Sequence, residues 1–149
     1  FGFHTSMIES SMIINDRMPE YCAQRAMGAL NEQKKAMNGA KVLVLGVAYK
    51  QDIDDYRESP AIRVIDSLRK LGAEVCFYDP YIAQYREGGK VETGIPALTA
   101  QALEEADLVM VTTGHTTVDY AFVARHAKLV FDTKNAMKNV KKRENIRLL

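Results

Sequence analysis

A chain of 149 residues, 47% hydrophobic and 26% charged, has the size and composition of one globular domain with a proper core, not of a disordered chain. Twenty Lys and Arg stand against 19 Asp and Glu, a net charge of +1 that argues against a surface built to hold nucleic acid. No run approaches the roughly 20 apolar residues of a membrane helix. There is no secretory leader, and with Phe at position 1 the chain reads as a piece of something longer. Cys22 and Cys76 lie far apart in unlike contexts and read as two free thiols in a reducing compartment.

Residues 5 to 33 are helical in pattern, with Met7, Ile8, Ile14, Met18, Cys22, Ala26 and Leu30 at three- and four-residue spacings. Pro19 interrupts this segment and predicts either a kink or the first turn of a second helix. Asn38-Gly39 reads as the helix stop. The arm has no compact core of its own and must lie against something else. From Lys41 the pattern changes. Val42 to Val47 is the short continuous apolar run of a strand covered on both faces. Ser59 is placed to cap a helix that has Pro60 at its first position and ends at Gly72. A second strand, AEVCFYDP, stops at Asp79-Pro80. Residues 81 to 98 read as irregular, with Gly88-Gly89 as a turn and room for a short strand near Val91. TAQALEEA then reads as a helix, DLVMVTT as a strand, TVDYAFVARHA as a helix and KLVFDT as a strand. Lys134 to Arg147 reads as a solvated basic tail, since no aromatic residue interleaves with the charges. The predicted fold is α/β: a doubly wound, Rossmann-like parallel sheet preceded by a long helix that Pro19 kinks or restarts.

Ligands of such sheets bind beyond the carboxyl ends of the strands, where strand order reverses. Four loops therefore matter: 48 to 58, 79 to 81, 113 to 118 and 133 to 135. The first lacks the three glycines of a dinucleotide fingerprint, for Gly46 is followed by Val47, Ala48, Tyr49 and Lys50. It is not a Walker loop either. A phosphate at this loop would meet the Lys50 ammonium as a point charge. The plainer reading of Lys50 is an exposed lysine paired with Asp52 or Asp54. Arg57, set among Asp54, Asp55 and Glu58, likewise reads as part of a local ion-pair cluster. Lys134 leaves the sheet on the same side as Lys50, so the two are placed to flank one phosphate group. His115 reads as a solvated loop histidine. No catalytic set and no metal-ligand spacing emerges.

The stretch VLVLGVAYKQDIDDYRESPAIRVIDSLRKLGAEVCFYDPYI closely resembles the C-terminal, UDP-binding domain of the UDP-glucose/GDP-mannose dehydrogenase family. The family's glycine, aromatic-Lys pair, Asp-rich stretch, Arg-Glu-Ser-Pro and Asp-Pro-Tyr correspond to Gly46, Tyr49-Lys50, Asp52 to Asp55, Arg57 to Pro60 and Asp79 to Tyr81. The arm segment INDRMPEYCAQRAMGALN is similar to the end of the family's long central helix, and FDTKNAM to the segment after its last strand. The resemblance implies a UDP-sugar substrate contacted by Tyr49, Lys50 and Lys134, the last standing where many members have Arg. It implies that Arg57 reaches NAD across a cleft. It places the NAD domain and the catalytic Cys upstream, so that no catalytic residue lies in this chain. Residues 1–38 then belong to the central helical linker and middle domain, and 39–149 to the UDP-sugar-binding domain. The enzymes so implied are cytoplasmic and homodimeric, and oxidise the sugar C6 hydroxyl to a carboxylate in two NAD-dependent steps. FGFHT, NDRMPEY and DIDDYRESP are most similar to members acting on UDP-N-acetylglucosamine or UDP-N-acetylmannosamine, and UDP-glucose stays open, because the resemblance implies that the sugar is gripped mainly by residues outside this chain. The competing expectation is a free-standing nucleotide-binding or regulatory module.

Overall fold

The computed structural model describes residues 6–149, so the start of the arm helix at Thr5 and the FGFHT segment lie outside the described residues. Five strands form one parallel sheet in the order β2-β1-β5-β6-β7: β1 (Lys41–Leu45), β2 (Glu74–Tyr78), β5 (Leu108–Val111), β6 (Val130–Asp132) and β7 (Ile146–Leu148). Alternation along the central strands divides the core. Val42, Val44, Leu108 and Met110 face α1 (Ser6–Glu32) and α2 (Pro60–Lys70), while Leu43, Leu45, Val109 and Val111 face α3 (Ala100–Glu105) and α4 (Tyr120–His126). Helices on both faces explain why these strands are apolar throughout. The sheet is doubly wound, and its order reverses between β1 and β5.

Local chemistry sets the element ends. Ser59 accepts from Ala61 N at 3.3 Å, Pro60 opens α2 where a missing N–H costs nothing, and Gly72 at φ +88° turns the chain toward β2. Thr99 and Asp119 cap α3 and α4 through Ala102 N and Phe122 N. The segment expected to be irregular contains an antiparallel hairpin, β3 (Gln84–Glu87) and β4 (Lys90–Thr93). Its two-residue turn is Gly88-Gly89, both at positive φ, as the strand twist requires.

Three expectations are corrected. One helix runs through Pro19, so no second helix begins there; Pro19 instead opens the buried half of α1. In that half Ala23, Ala26 and Ala29 let α1 lie close on α2 and the sheet, whereas Met7, Ile8, Met12, Ile13 and Ile14 are exposed. The helix also ends earlier than Asn38-Gly39. Lys34 takes φ +57°, and Lys35 N bonds Leu30 O while Lys34 N bonds Asn31 O. This pair of bonds is a Schellman stop, and it offsets the left-handed cost at a non-glycine residue. Finally, the basic tail is not solvated throughout. Met137 and Ile146 are buried, and β7 pairs with β6 at Val130↔Ile146. A nonlocal ladder, not local apolar density, makes that strand.

Candidate functional site

The carboxyl ends of β1, β2, β5 and β6 bring all four expected loops together. Gly46 sits at φ +89°, and a Cβ there would stand 2.5 Å from both the Cβ and the carbonyl oxygen of Thr113. The glycine is required by this close approach of β1 to the β5 loop, not by a phosphate. Thr112 Oγ1 donates to the Gly46 carbonyl and Thr113 Oγ1 to the Ala48 carbonyl, the latter at 2.7 Å.

Asp79 organises the loops from below. Its Oδ2 accepts from Val47 N (2.8 Å), Ala48 N (3.1 Å) and His115 Nε2 (2.8 Å), and its Oδ1 from Tyr81 N (2.9 Å) and Ile82 N (3.1 Å). Burial pushes this carboxyl up, but the bonds from His115, Tyr81 and Val47 outweigh it and hold the group below the usual carboxylate range. The Asp79-Pro80 pair that reads as a strand stop is therefore also the tie between β1, β2 and β5. Asp132 acts similarly at the end of β6, accepting from Lys134 N at 2.9 Å and Met137 N at 2.8 Å, and so shapes the turn that carries Lys134.

His115 is not the solvated histidine expected from its loop position. It is 0% exposed, its ring lies 5.1 Å from that of Tyr81, and its Nδ1 receives the Asp52 N–H at 2.9 Å. Sequence offered no local signal for this, because both partners are more than thirty residues away. Asp52 does not pair with Lys50. Its carboxylate accepts from Thr116 N at 2.9 Å and Thr116 Oγ1 at 2.8 Å, and these bonds hold it below the ordinary carboxylate range.

The tie of Asp52 to the β5 loop leaves the Lys50 ammonium outside the local acidic cluster, 5.7 Å from the centroid of the Tyr49 ring. Lys50 and Lys134, both exposed, line one cleft of about 720 Å³ whose floor is Thr113, Gly114 and His115. Lys138, which sequence reasoning passed over as tail, lines it too. Tyr49, Thr113 and Lys134 also border a second cleft, of about 780 Å³, between α1 and the first turn of α2. Arg57 stands apart from both. Its guanidinium forms a two-pronged pair with Asp55, Nε to Oδ1 at 3.0 Å and Nη2 to Oδ2 at 2.9 Å, with the arginine side chain 84% exposed. That pair pulls the Asp55 carboxyl down to about 2.

The loop after β1 does not fit a dinucleotide pyrophosphate. A cradle requires backbone N–H groups free to face the ligand. Here the N–H groups of Val47, Ala48, Tyr49 and Asp52 are all spent on Asp79, Asp55 and His115. With those four amides taken, the exposed ammonium groups of Lys50, Lys134 and Lys138 are the charged donors that the cleft offers an anion. Among the described residues no group of His, Cys, Asp and Glu is placed to hold a metal, and both cysteines are free thiols, Cys22 buried and Cys76 exposed.

The fold and site define a doubly wound α/β domain with a lysine-lined cleft at its topological switch point and a first loop closed to dinucleotides. Residues 43–139 match the UDP binding domain of the UDP-glucose/GDP-mannose dehydrogenase family, and the chain belongs to that family. Among curated relatives, UDP-N-acetyl-D-mannosamine dehydrogenase of Pyrococcus horikoshii is 30% identical over 138 residues, covering 89% of this chain and 30% of the relative. UDP-glucose 6-dehydrogenase AglM of Haloferax volcanii is 31% identical over 134 residues, covering 88% and 30%. The solved structure of the P. horikoshii UDP-D-ManNAc dehydrogenase superimposes with a TM-score of 0.78 at 27% identity, over 99% of this chain and 34% of that one. The chain thus spans about a third of the length of these relatives.

Proposed function

We propose that this chain is the nucleotide-sugar-binding part of an NAD-dependent UDP-sugar 6-dehydrogenase, which oxidises the sugar C6 hydroxyl to a carboxylate in two steps. The observation that carries the reading is the convergence of Lys50 and Lys134 on one cleft beside a loop in which the Val47, Ala48, Tyr49 and Asp52 amides are already spent. Lys50 and Lys134 contact the diphosphate as point charges, and Tyr49 contacts the nucleotide sugar beside them. The Lys134 ammonium makes no planar two-pronged contact of the kind an arginine would. Arg57, projecting from the loop and paired among the described residues with half-buried Asp55, is available to NAD held mainly outside this chain. Residues 39–149 form the UDP-sugar domain and 1–38 the end of the central helical segment. The names of the relatives support UDP-N-acetylmannosamine as substrate, with UDP-glucose as the competing sugar; UDP-N-acetylglucosamine rests on the resemblance of NDRMPEY and DIDDYRESP alone.

The full enzyme is a cytoplasmic homodimer, and the exposed apolar half of α1 is the surface its other parts cover. The chain by itself carries no dehydrogenase activity, since the nicotinamide site lies in the family's upstream domain and neither Cys22 nor Cys76 matches the position of the family's nucleophile. Calorimetric titration with UDP tests the site. Lys50→Ala should weaken binding roughly ten- to a hundredfold, as loss of one charge-assisted hydrogen bond of about 1.5–3 kcal/mol requires. Arg57→Ala should leave UDP affinity nearly unchanged. The opposite pattern would reverse the assignment of the loop.

A further inference from the structure

We propose that His115 is the positioning residue of the Tyr49–Lys50 loop: a neutral imidazole, fixed as the Nε2–H tautomer, through which Asp79 sets the backbone at Asp52 and so the place of the Lys50 ammonium. The inference rests on the reading of Lys50 as a phosphate contact.

The tautomer follows from the donors. The Asp52 N–H points at Nδ1 from 2.9 Å, so Nδ1 carries a lone pair and the ring proton is on Nε2, where it donates to Asp79 Oδ2 at 2.8 Å. Both nitrogens are used inside a fully buried ring. The other groups facing it hold it in place: the Tyr81 ring packs 5.1 Å away, and the Tyr120 hydroxyl donates to the His115 carbonyl at 2.9 Å. The Asp52 carboxylate stands 3.8 Å from Nδ1 but is engaged with Thr116.

Asp52 needs this support. It adopts φ +61°, a conformation that disfavours non-glycine residues, and it is held there by His115 on its N–H and Thr116 on its carboxylate. Lys50 lies between two pinned amides, Tyr49 N on Asp55 O at 2.8 Å and Asp52 N on His115. Without the imidazole the Asp52 amide loses its acceptor and Thr116 alone holds the residue, which loosens the base from which the lysine reaches the cleft.

Three measurements on this chain test the role. Imidazole nitrogen NMR at neutral pH should show His115 with a protonated Nε2 and a bare Nδ1; an Nδ1–H tautomer or an imidazolium would overturn the proposal. In His115→Ala the Asp52 amide should exchange with solvent at least about tenfold faster, while His115→Gln, which offers one acceptor and one donor without charge, should restore protection. Titration with UDP-N-acetylglucosamine, whose doubly esterified diphosphate does not ionise further near neutrality, should show about tenfold weaker binding for the alanine variant and recovery to within about threefold for glutamine. Alanine at wild-type affinity, or glutamine no better than alanine, would overturn the role. Should the wild-type chain bind no UDP-sugar, the proposed function falls, while the tautomer and the Asp52 exchange still decide what His115 does. Should the alanine variant not fold, the wild-type tautomer and the glutamine variant decide it.

Discussion

Replacing Asp79 with Ala removes one side chain and strands five donors: the N–H groups of Val47, Ala48, Tyr81 and Ile82, and the His115 imidazole. A buried donor left without a partner costs about 1–3 kcal/mol, and such costs do not add within one network. Tyr81 N is only partly buried and will find water, whereas Val47, Ala48 and His115 are buried and will not all do so. The expected loss is therefore about 3–5 kcal/mol, the range for breaking a buried charged network, out of roughly 5–15 kcal/mol for a whole domain. With a urea slope of about 2 kcal/mol per M, the unfolding midpoint should fall by about 2 M. The sign with pH follows from the lowered carboxyl of Asp79. A group depressed in the folded state contributes stability above its unfolded pKa and loses it as pH falls through the folded one. The gap between wild type and Asp79→Ala should therefore narrow in acid, below about pH 4. A midpoint shift under about 0.5 M at neutral pH would show that the loops do not depend on this carboxylate, and the account of the site's construction would fail.

Gly46→Ala should destabilise by about 2–4 kcal/mol, from left-handed strain together with overlap against Thr113, read as a lower urea midpoint. Arg57→Ala should return the Asp55 carboxyl from about 2 toward the ordinary range, seen by carboxyl carbon NMR. The stability this pair contributes is present above about pH 4 and lost as pH falls toward about 2, so the variant should lack that part of the acid dependence. No NADH should form when the purified chain is mixed with NAD and any UDP-sugar; formation would place catalysis within these residues.

The strands β1, β5 and β6 were legible because burial on both faces writes a continuous apolar run, the edge strand β2 because Asp79-Pro80 stops it, and α2 because Ser59, Pro60 and Gly72 punctuate it. The loops that matter were legible for the same reason, since strand ends locate them. What could not be read was how the loops are tied. Asp52 lies beside Lys50 in sequence yet bonds Thr116, and His115 looks exposed until Asp79 and Asp52 close over it. The strand β7 follows a lysine-rich stretch and exists through its ladder to β6. The end of α1 at Glu32 depends on backbone bonds that let Lys34 serve where glycine or asparagine is usual. The ties of Asp52 and His115 and the β7 ladder are contacts between segments, which no local composition encodes.

The central claim is that a UDP-sugar lies in the cleft between Lys50 and Lys134. Backbone amide NMR of the chain titrated with UDP-N-acetylmannosamine tests it most directly. Shifts should concentrate at Tyr49 to Gln51, Thr113 to Thr116, Lys134 to Ala136 and Lys138, which border that cleft. Shifts confined to Asn15 to Cys22 and Pro60 to Val64, around the neighbouring cleft between α1 and α2, would contradict the claim, as would no shifts at all.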